Sequence, residues 1–192
     1  MANAIWIIRH GATEWSEAMR HTGRTDLPLT EAGATLAAAL EPVLAQHEFA
    51  CAISSPLHRA RETARLAGFD DPVLEPDLEE WDYGEFEGLT TEHIRAQGRE
   101  WADWTVFRGP IPGGETLEQV AVRARRAYER VEAVDGDVVV FAHAHILRIF
   151  ATVACDLEPE DAARLALDPA TISVLGLDRG ERIVRRWNHP PT

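Results

Sequence analysis

Ala4-Ile5-Trp6-Ile7-Ile8-Arg9-His10-Gly11 decides how this chain is read. Its apolar run, rich in β-branched side chains, predicts a strand buried on both faces, and such strands belong to parallel sheets. Directly behind it stand a cation, an imidazole and a glycine. Open α/β sheets hold their ligands at the carboxyl ends of strands, so the tripeptide lies where a site is expected. Arg9 suits an anionic oxygen, and His10 on a tight turn suits attack on phosphorus through a ring nitrogen. The plainer reading is a surface strand end with two ordinary polar residues.

The same pattern recurs downstream. Cys51 to Ser54 reads as a short buried strand, after which Ser55 as N-cap and Pro56 at the first helical position start a helix to about Ala67. Asp137 to Ala142 is a further buried strand and ends at His143. Between these, Thr30 caps a helix with Leu36, Leu40, Val43 and Leu44 on one face, and Pro42 kinks it or marks its last turn. Val73-Leu74-Glu75, bracketed by Pro72 and Pro76, predicts a short strand, and Thr90 or Thr91 starts a short helix. Arg108 to Gly114 must be a loop. Thr116 with Gln119 then forms a capping box for a helix burying Leu117, Val120, Ala124, Tyr128 and Val131. On that helix Arg123, Arg125, Arg126 and Arg130 read as a solvated face. Ile172 to Leu177 and Arg182 to Trp187 form a terminal hairpin. Strands alternating with helices and closing on a hairpin give an α/β fold: a three-layer sandwich whose mainly parallel central sheet has an antiparallel edge. Without repeat or linker, residues 1–192 read as one domain.

Composition narrows the function. At 192 residues and 45% hydrophobic, the chain can bury one sizeable core. Its formal net charge of −13 argues against nucleic acid as a partner, since such binding needs a clustered basic surface. All 19 basic residues are arginine, which removes Schiff-base chemistry on a lysine side chain and the P-loop lysine. Any anion must therefore be held by arginine, histidine and backbone amides. Cys51 and Cys155 read as buried thiols in a reducing compartment. No secretory signal is read at the amino terminus, and the apolar tract from Val138 to Cys155 carries His143, His145 and Arg148, which disfavour a membrane span. A cytoplasmic protein with no membrane partner is expected.

Three strands thus end in candidate phosphate ligands: Arg9 and His10, Ser55 to Arg59, and His143. Arg59 falls in the first turn of its helix, where guanidinium and free amides suit one anion. Glu80 is a candidate general acid for an alkoxide leaving group. With Ser54 to Ala64 and Leu78 to Gly88, these residues make the chain resemble the histidine phosphatase superfamily, also called the phosphoglycerate-mutase-like family, over nearly its whole length. The resemblance implies a phosphoglycerate-mutase-like fold and a phosphohistidine at His10. It implies that Arg9, Arg59 and His143 bind the phosphoryl group and that Glu80 donates and later accepts a proton. It also suggests Ser16, Thr22 and Gly23 as substrate-binding residues. Glu79 is the rival to Glu80, which keeps the spacing to Tyr83-Gly84 and Glu87-Gly88. Arg20 to Asp26 together with Glu80 to Gly84 resemble the branch of small bacterial acid phosphatases and sedoheptulose-bisphosphatase-like enzymes, which points to sugar phosphates.

The chemistry sets its own requirements. His10 must be neutral to attack, and Arg9 and Arg59 disfavour a further positive charge there. Glu80 must hold a proton near working pH, which burial or a phosphate dianion would encourage. No metal or cofactor is required, because arginines supply the electrostatic stabilisation. The chain departs from the family pattern in two places. Ala144 follows His143 where glycine is usual, and His145 then either faces the substrate or is a first-turn residue bonded to a carbonyl. Thr91 stands where the mutase branch has lysine, and loop residues around Phe107 and Arg108 replace its arginine pair. The expected function is a phosphomonoesterase acting on small phosphorylated metabolites. Its rivals are a phosphoglycerate mutase, a non-catalytic phospho-ligand binding module, and a metal hydrolase built on His143-Ala144-His145. Trp81, Trp101 and Trp104 form either a packed lid or a ligand platform.

Overall fold

The computed structural model describes residues 1–191 and sets the opening apolar run inside a six-stranded sheet. In chain order the elements are β1 (Ala2–Arg9), α1 (Glu14–Glu17), α2 (Glu31–Ala38), α3 (Glu41–Leu44), β2 (Cys51–Ser54), α4 (His58–Leu66) and β3 (Val73–Leu74). There follow α5 (Thr91–Arg95), α6 (Leu117–Glu132), β4 (Gly136–Ala142), α7 (Ala144–Ala154), β5 (Ile172–Asp178) and β6 (Glu181–His189). The strands lie in the order β3-β2-β4-β1-β5-β6. β1 through β4 run parallel, whereas β5 and β6 form the antiparallel edge.

Alternation along β4 explains the layers. Val138, Val140 and Ala142 join Ile5 and Ile7 against α6 and α7, while Val139 and Phe141 join Trp6 and Ile8 on the other face, where Leu40, Leu44 and Ala64 cover them. Every residue from Val138 to Ala142 is inaccessible to solvent. Burial of each large apolar side chain contributes about 1.5–3 kcal/mol, so this strand anchors both halves of the core. The parallel register brings the ends of β1, β2 and β4 to one rim, with Arg9 beside Ala142 and Ser54 beside Phe141.

Several local expectations are corrected. The helix begun by Thr30, whose hydroxyl accepts from the Gly33 amide, stops at Ala38, and Pro42 lies in the first turn of the separate α3. Proline has no N–H to donate, so it fits a helix start better than a last turn. Leu36 is consequently exposed, and Ala37 takes the buried position. Leu57 rather than Ser55 caps α4, and Cys51 and Cys155 are partly exposed free thiols. Arg123 is buried: it lies three residues after Val120 and four before Ala127, on the core face of α6. Thr116 and Gln119 do form the capping box, and Thr90 caps α5. The tract from Val138 to Cys155 divides between β4 and α7, and among the described residues no helix is long and apolar enough to cross a membrane.

Candidate active site

The turn after β1 is shaped by a close backbone approach. A Cβ at Gly11 would sit 2.4 Å from the Gly33 carbonyl oxygen, so only glycine lets the start of α2 pack here. His10 continues the ladder, its amide donating to Ala142 at 2.9 Å, and its Nδ1 lies 2.7 Å from the Gly11 carbonyl oxygen. A carbonyl only accepts, so Nδ1 carries the proton and Nε2 the lone pair. Burial, then the charges of Arg59 and Arg9, hold the His10 pKa well below the ordinary histidine value. The ring is neutral, with its nucleophilic nitrogen assigned.

Arg59 is fully buried at the start of α4. Its Nε donates to His143 Nδ1 at 3.1 Å, so His143 Nε2 carries the proton and donates to Ser55 Oγ at 2.8 Å. The His143 ring stands edge-on to His10, with centroids 5.0 Å apart. Burial and the Arg59 charge lower its pKa well below the usual histidine range. The rest of the guanidinium clamps a loop: Nη1 donates to the Thr25 carbonyl at 3.0 Å, and Nη2 to those of Thr22 and Gly23 at 3.1 and 2.9 Å. Glu87 takes the Gly23 and Thr25 amides of the same loop at 3.0 Å, and Asp26 takes the His58 amide at 2.9 Å.

Arg9 donates through Nη1 to the Leu167 carbonyl at 2.6 Å, while its buried Nε has no protein partner. An unpaired buried N–H is costly, and an anionic oxygen would satisfy it. Opposite lies Glu80, whose Oε1 accepts from the Trp81 and Ile146 amides and whose Oε2 accepts from the His145 amide, each at 3.0 Å. The carboxylate thus caps the first turn of α7. Burial alone drives the Glu80 pKa up, but His145, His143 and the α7 amide outweigh it and hold the group well below the usual carboxylate range. Burial by itself therefore does not keep Glu80 protonated: the His145 ring first, then His143 and the amide at the start of α7, favour its charged form.

These groups meet in a cavity of about 360 Å³, lined by Arg9, His10, Ser16, Thr22, Glu80 and His145 among the expected residues. Arg59, His143 and Gly23 sit behind it. Ser16 closes a capping box with Thr13, and Gly23 is pressed against the Trp81 carbonyl, where a Cβ would come within 2.4 Å. Other wall residues were not singled out from sequence. His21 bonds Thr91 Oγ1 at 3.2 Å, and burial followed by the His145 charge lowers its pKa to about 4. Tyr83 lies 2.6 Å from His145 Nδ1, Arg148 stacks on Phe107, and Asp168 is held by Asn188. Arg123, fixed to Glu115, donates to the carbonyls of Asp77 and Glu79 and so sets the segment that carries Glu80. The helical spacing of Arg123 could have revealed it; residues 167 and 168 arrive from a loop with no sequence signal. Trp81 and Trp104 are packed against Phe107 and Phe86. Among the described residues no group of three or more His, Cys, Asp or Glu is arranged to hold a metal ion. A larger groove of about 780 Å³ along α6 holds none of the candidate groups.

The chain is similar to known proteins over nearly its whole length. The chain is 37% identical over 182 residues to an acid phosphatase of Mycobacterium tuberculosis, covering 93% of this chain and 88% of that one. It is 34% identical over 178 residues to the sedoheptulose 1,7-bisphosphatase of Saccharomyces cerevisiae, covering 77% of this chain and 65% of that one. A 2,3-bisphosphoglycerate-dependent phosphoglycerate mutase of Gloeobacter violaceus is 34% identical over 177 residues, covering 84% and 80%. The solved structure of an open reading frame product from Mycobacterium tuberculosis superimposes with a TM-score of 0.92 at 34% identity over 99% of both chains. Residues 5–190 match the histidine phosphatase superfamily, branch 1. That match begins on β1 and ends past β6, taking in every element that carries the cavity, and the chain belongs to the histidine phosphatase superfamily.

Proposed function

We propose that the protein is a cytoplasmic phosphomonoesterase, a single domain over residues 1–192, that hydrolyses small phosphorylated metabolites, sugar phosphates above all, through a phosphohistidine at His10. The observation that carries this reading is the fixed tautomer of His10, whose Nε2 lone pair is held ready by the 2.7 Å bond from Nδ1 to Gly11. In the first step Nε2 attacks phosphorus, the bond to the sugar oxygen breaks, and that oxygen takes a proton from the end of the site formed by Glu80 and His145. In the second, water attacks phosphorus and gives a proton to the same end of the site, the phosphorus–nitrogen bond breaks, and phosphate and free His10 are released. Arg9 turns its unpaired Nε to the phosphoryl oxygens, while Arg59 and His143, bonded to one another, to Ser55 and to the loop carbonyls, act from behind His10, Arg59 as a fixed positive charge and His143 as its support. Arginine here does what a metal ion does elsewhere: it stabilises charge that develops in the transition state. Ser16 and Thr22 line the route of the substrate, and Gly23 lets the loop that carries Thr22 pack against the Trp81 carbonyl.

Sugar phosphates are favoured by the acid phosphatase and the bisphosphatase among the relatives. A mutase reading is supported by relatives named phosphoglycerate mutase. Against it, Thr91 stands in the cavity wall bonded to His21, where a lysine would mark the mutase branch. The test is to measure phosphate release from a panel of sugar phosphates beside conversion of 3-phosphoglycerate to 2-phosphoglycerate with a bisphosphoglycerate primer. Hydrolysis in excess of isomerisation is expected. Efficient isomerisation with little free phosphate contradicts the proposal.

A further inference from the structure

A phosphoryl group held at Arg9 and His10 fills only part of the cavity of about 360 Å³, so the alcohol of the ester must meet the remaining wall. His21 is a fixed polar group of that wall. Its amide donates to the Leu89 carbonyl and its own carbonyl accepts from the Gly88 amide, both at 2.8 Å. Its ring lies against Tyr83 with centroids 4.8 Å apart and stands edge-on to Trp104 at 5.4 Å. The His145 ring, beside Glu80, is 6.2 Å away, which places His21 at the end of the site where the leaving oxygen takes its proton. Nε2 is committed to Thr91 Oγ1 at 3.2 Å. Nδ1 has no protein partner among the described residues and is not sealed from solvent.

We infer that His21 is a specificity-determining residue: through Nδ1 it hydrogen-bonds a hydroxyl of the leaving alcohol, and the preferred substrates are phosphate esters of polyols. The inference rests on the phosphatase reading above and deepens it, because it assigns the group that recognises the alcohol. Burial holds the His21 pKa down at about 4, so the ring is neutral at neutral pH and offers a second anion no charge. Thr91 Oγ1 both donates and accepts, so either ring nitrogen can carry the proton, and Nδ1 is then a donor or an acceptor. A hydroxyl matches both. An alkyl chain matches neither and strips Nδ1 of water without replacing it, which makes the mismatch costlier than the bond is worth. Backbone bonds and aromatic packing hold the ring in place, so this recognition needs no rearrangement.

The test is kcat/KM in wild type, His21→Phe and His21→Gln for ribose 5-phosphate and fructose 6-phosphate beside pentyl and hexyl phosphate, which have a primary leaving oxygen but no hydroxyl. Phenylalanine keeps the packing against Tyr83 and Trp104 and removes both nitrogens, whereas glutamine keeps a donor and an acceptor. The wild type should favour the sugar phosphates. His21→Phe is expected to lower that preference about 10-fold, through the sugar phosphates alone, and His21→Gln to retain most of it. The rate at which water clears the phosphohistidine, measured after the alcohol has left, should be affected far less than the preference, which a merely structural defect of the site would not allow. A sugar preference unchanged in His21→Phe, or equal losses on sugar and alkyl esters, overturns the inference. A wild type that forms no phosphohistidine with any of these esters overturns the underlying reading instead, so the two failures are distinguishable.

Discussion

His10 needs to be a free base, and the charges that bind phosphate also make it one. Because its pKa is depressed by burial, Arg59 and Arg9, the neutral form persists well below the ordinary histidine range. The acid limb of kcat/KM assigned to His10 should therefore lie well below pH 6.5. Replacing Arg59 by Met removes one positive charge, so the His10 pKa rises and that limb moves to higher pH, alongside a loss of about 10²-fold in rate. An unmoved limb would separate Arg59 from His10. One residue apart, Glu79 and Glu80 differ sharply: Glu80 caps α7, whereas the main chain of Glu79 is what Arg123 holds. Glu79→Gln should leave turnover of a sugar phosphate nearly unchanged and Glu80→Gln should depress it strongly, as steady-state rates on both variants will show. The choice between these neighbours was legible from their spacing to Tyr83-Gly84. The protonation state of Glu80 was not, because it depends on burial and on the rings of His145 and His143, far away in sequence.

At the level of elements, the site is a set of segments nailed to one another. The loop over residues 22–26 is gripped from three sides, its carbonyls by Arg59, its amides by Glu87 and its Asp26 carboxylate by the start of α4. Glu87→Ala leaves the Gly23 and Thr25 amides unpaired, at a cost of about 1–3 kcal/mol, and is expected to raise KM because Thr22 is no longer fixed. Denaturant unfolding and Michaelis constants check both parts. On α6, Arg123→Ala leaves Glu115 without its ion pair in a largely buried setting and should destabilise by about 3–5 kcal/mol, whereas exposed Arg125→Ala should stay within about 0.5 kcal/mol. Equal effects would contradict the placement of Arg123. The capping box at Thr116 and the cap at Thr30 were readable because they depend on residues three apart. The break between α2 and α3 was not, since the leucine spacing runs through it and only the position of Pro42 marks the restart.

At the scale of the whole molecule, the strands that deliver the site were legible from apolar runs ending in Arg9, His10 and His143. Strand order was not, because it depends on how the crossovers pack helices on each face. The fold holds His10, His21 and His143 with lowered pKa values, and this gives stability a pH dependence. His21 titrates at about 4 in the fold against about 6.5 when unfolded, so between those values the unfolded chain binds more protons and stability falls as pH falls. The contribution of His21 alone is of order 3 kcal/mol across that window, and His10 and His143 act in the same direction. Unfolding free energies measured from pH 7 to 4 should decline accordingly, and His21→Gln should flatten part of the slope. The central claim concerns His10. Rapid quenching of the enzyme with a radiolabelled sugar phosphate, followed by peptide mapping, should give an acid-labile, base-stable label on His10 that His10→Ala lacks. A label on another residue, or near-normal turnover by His10→Ala, would contradict the account.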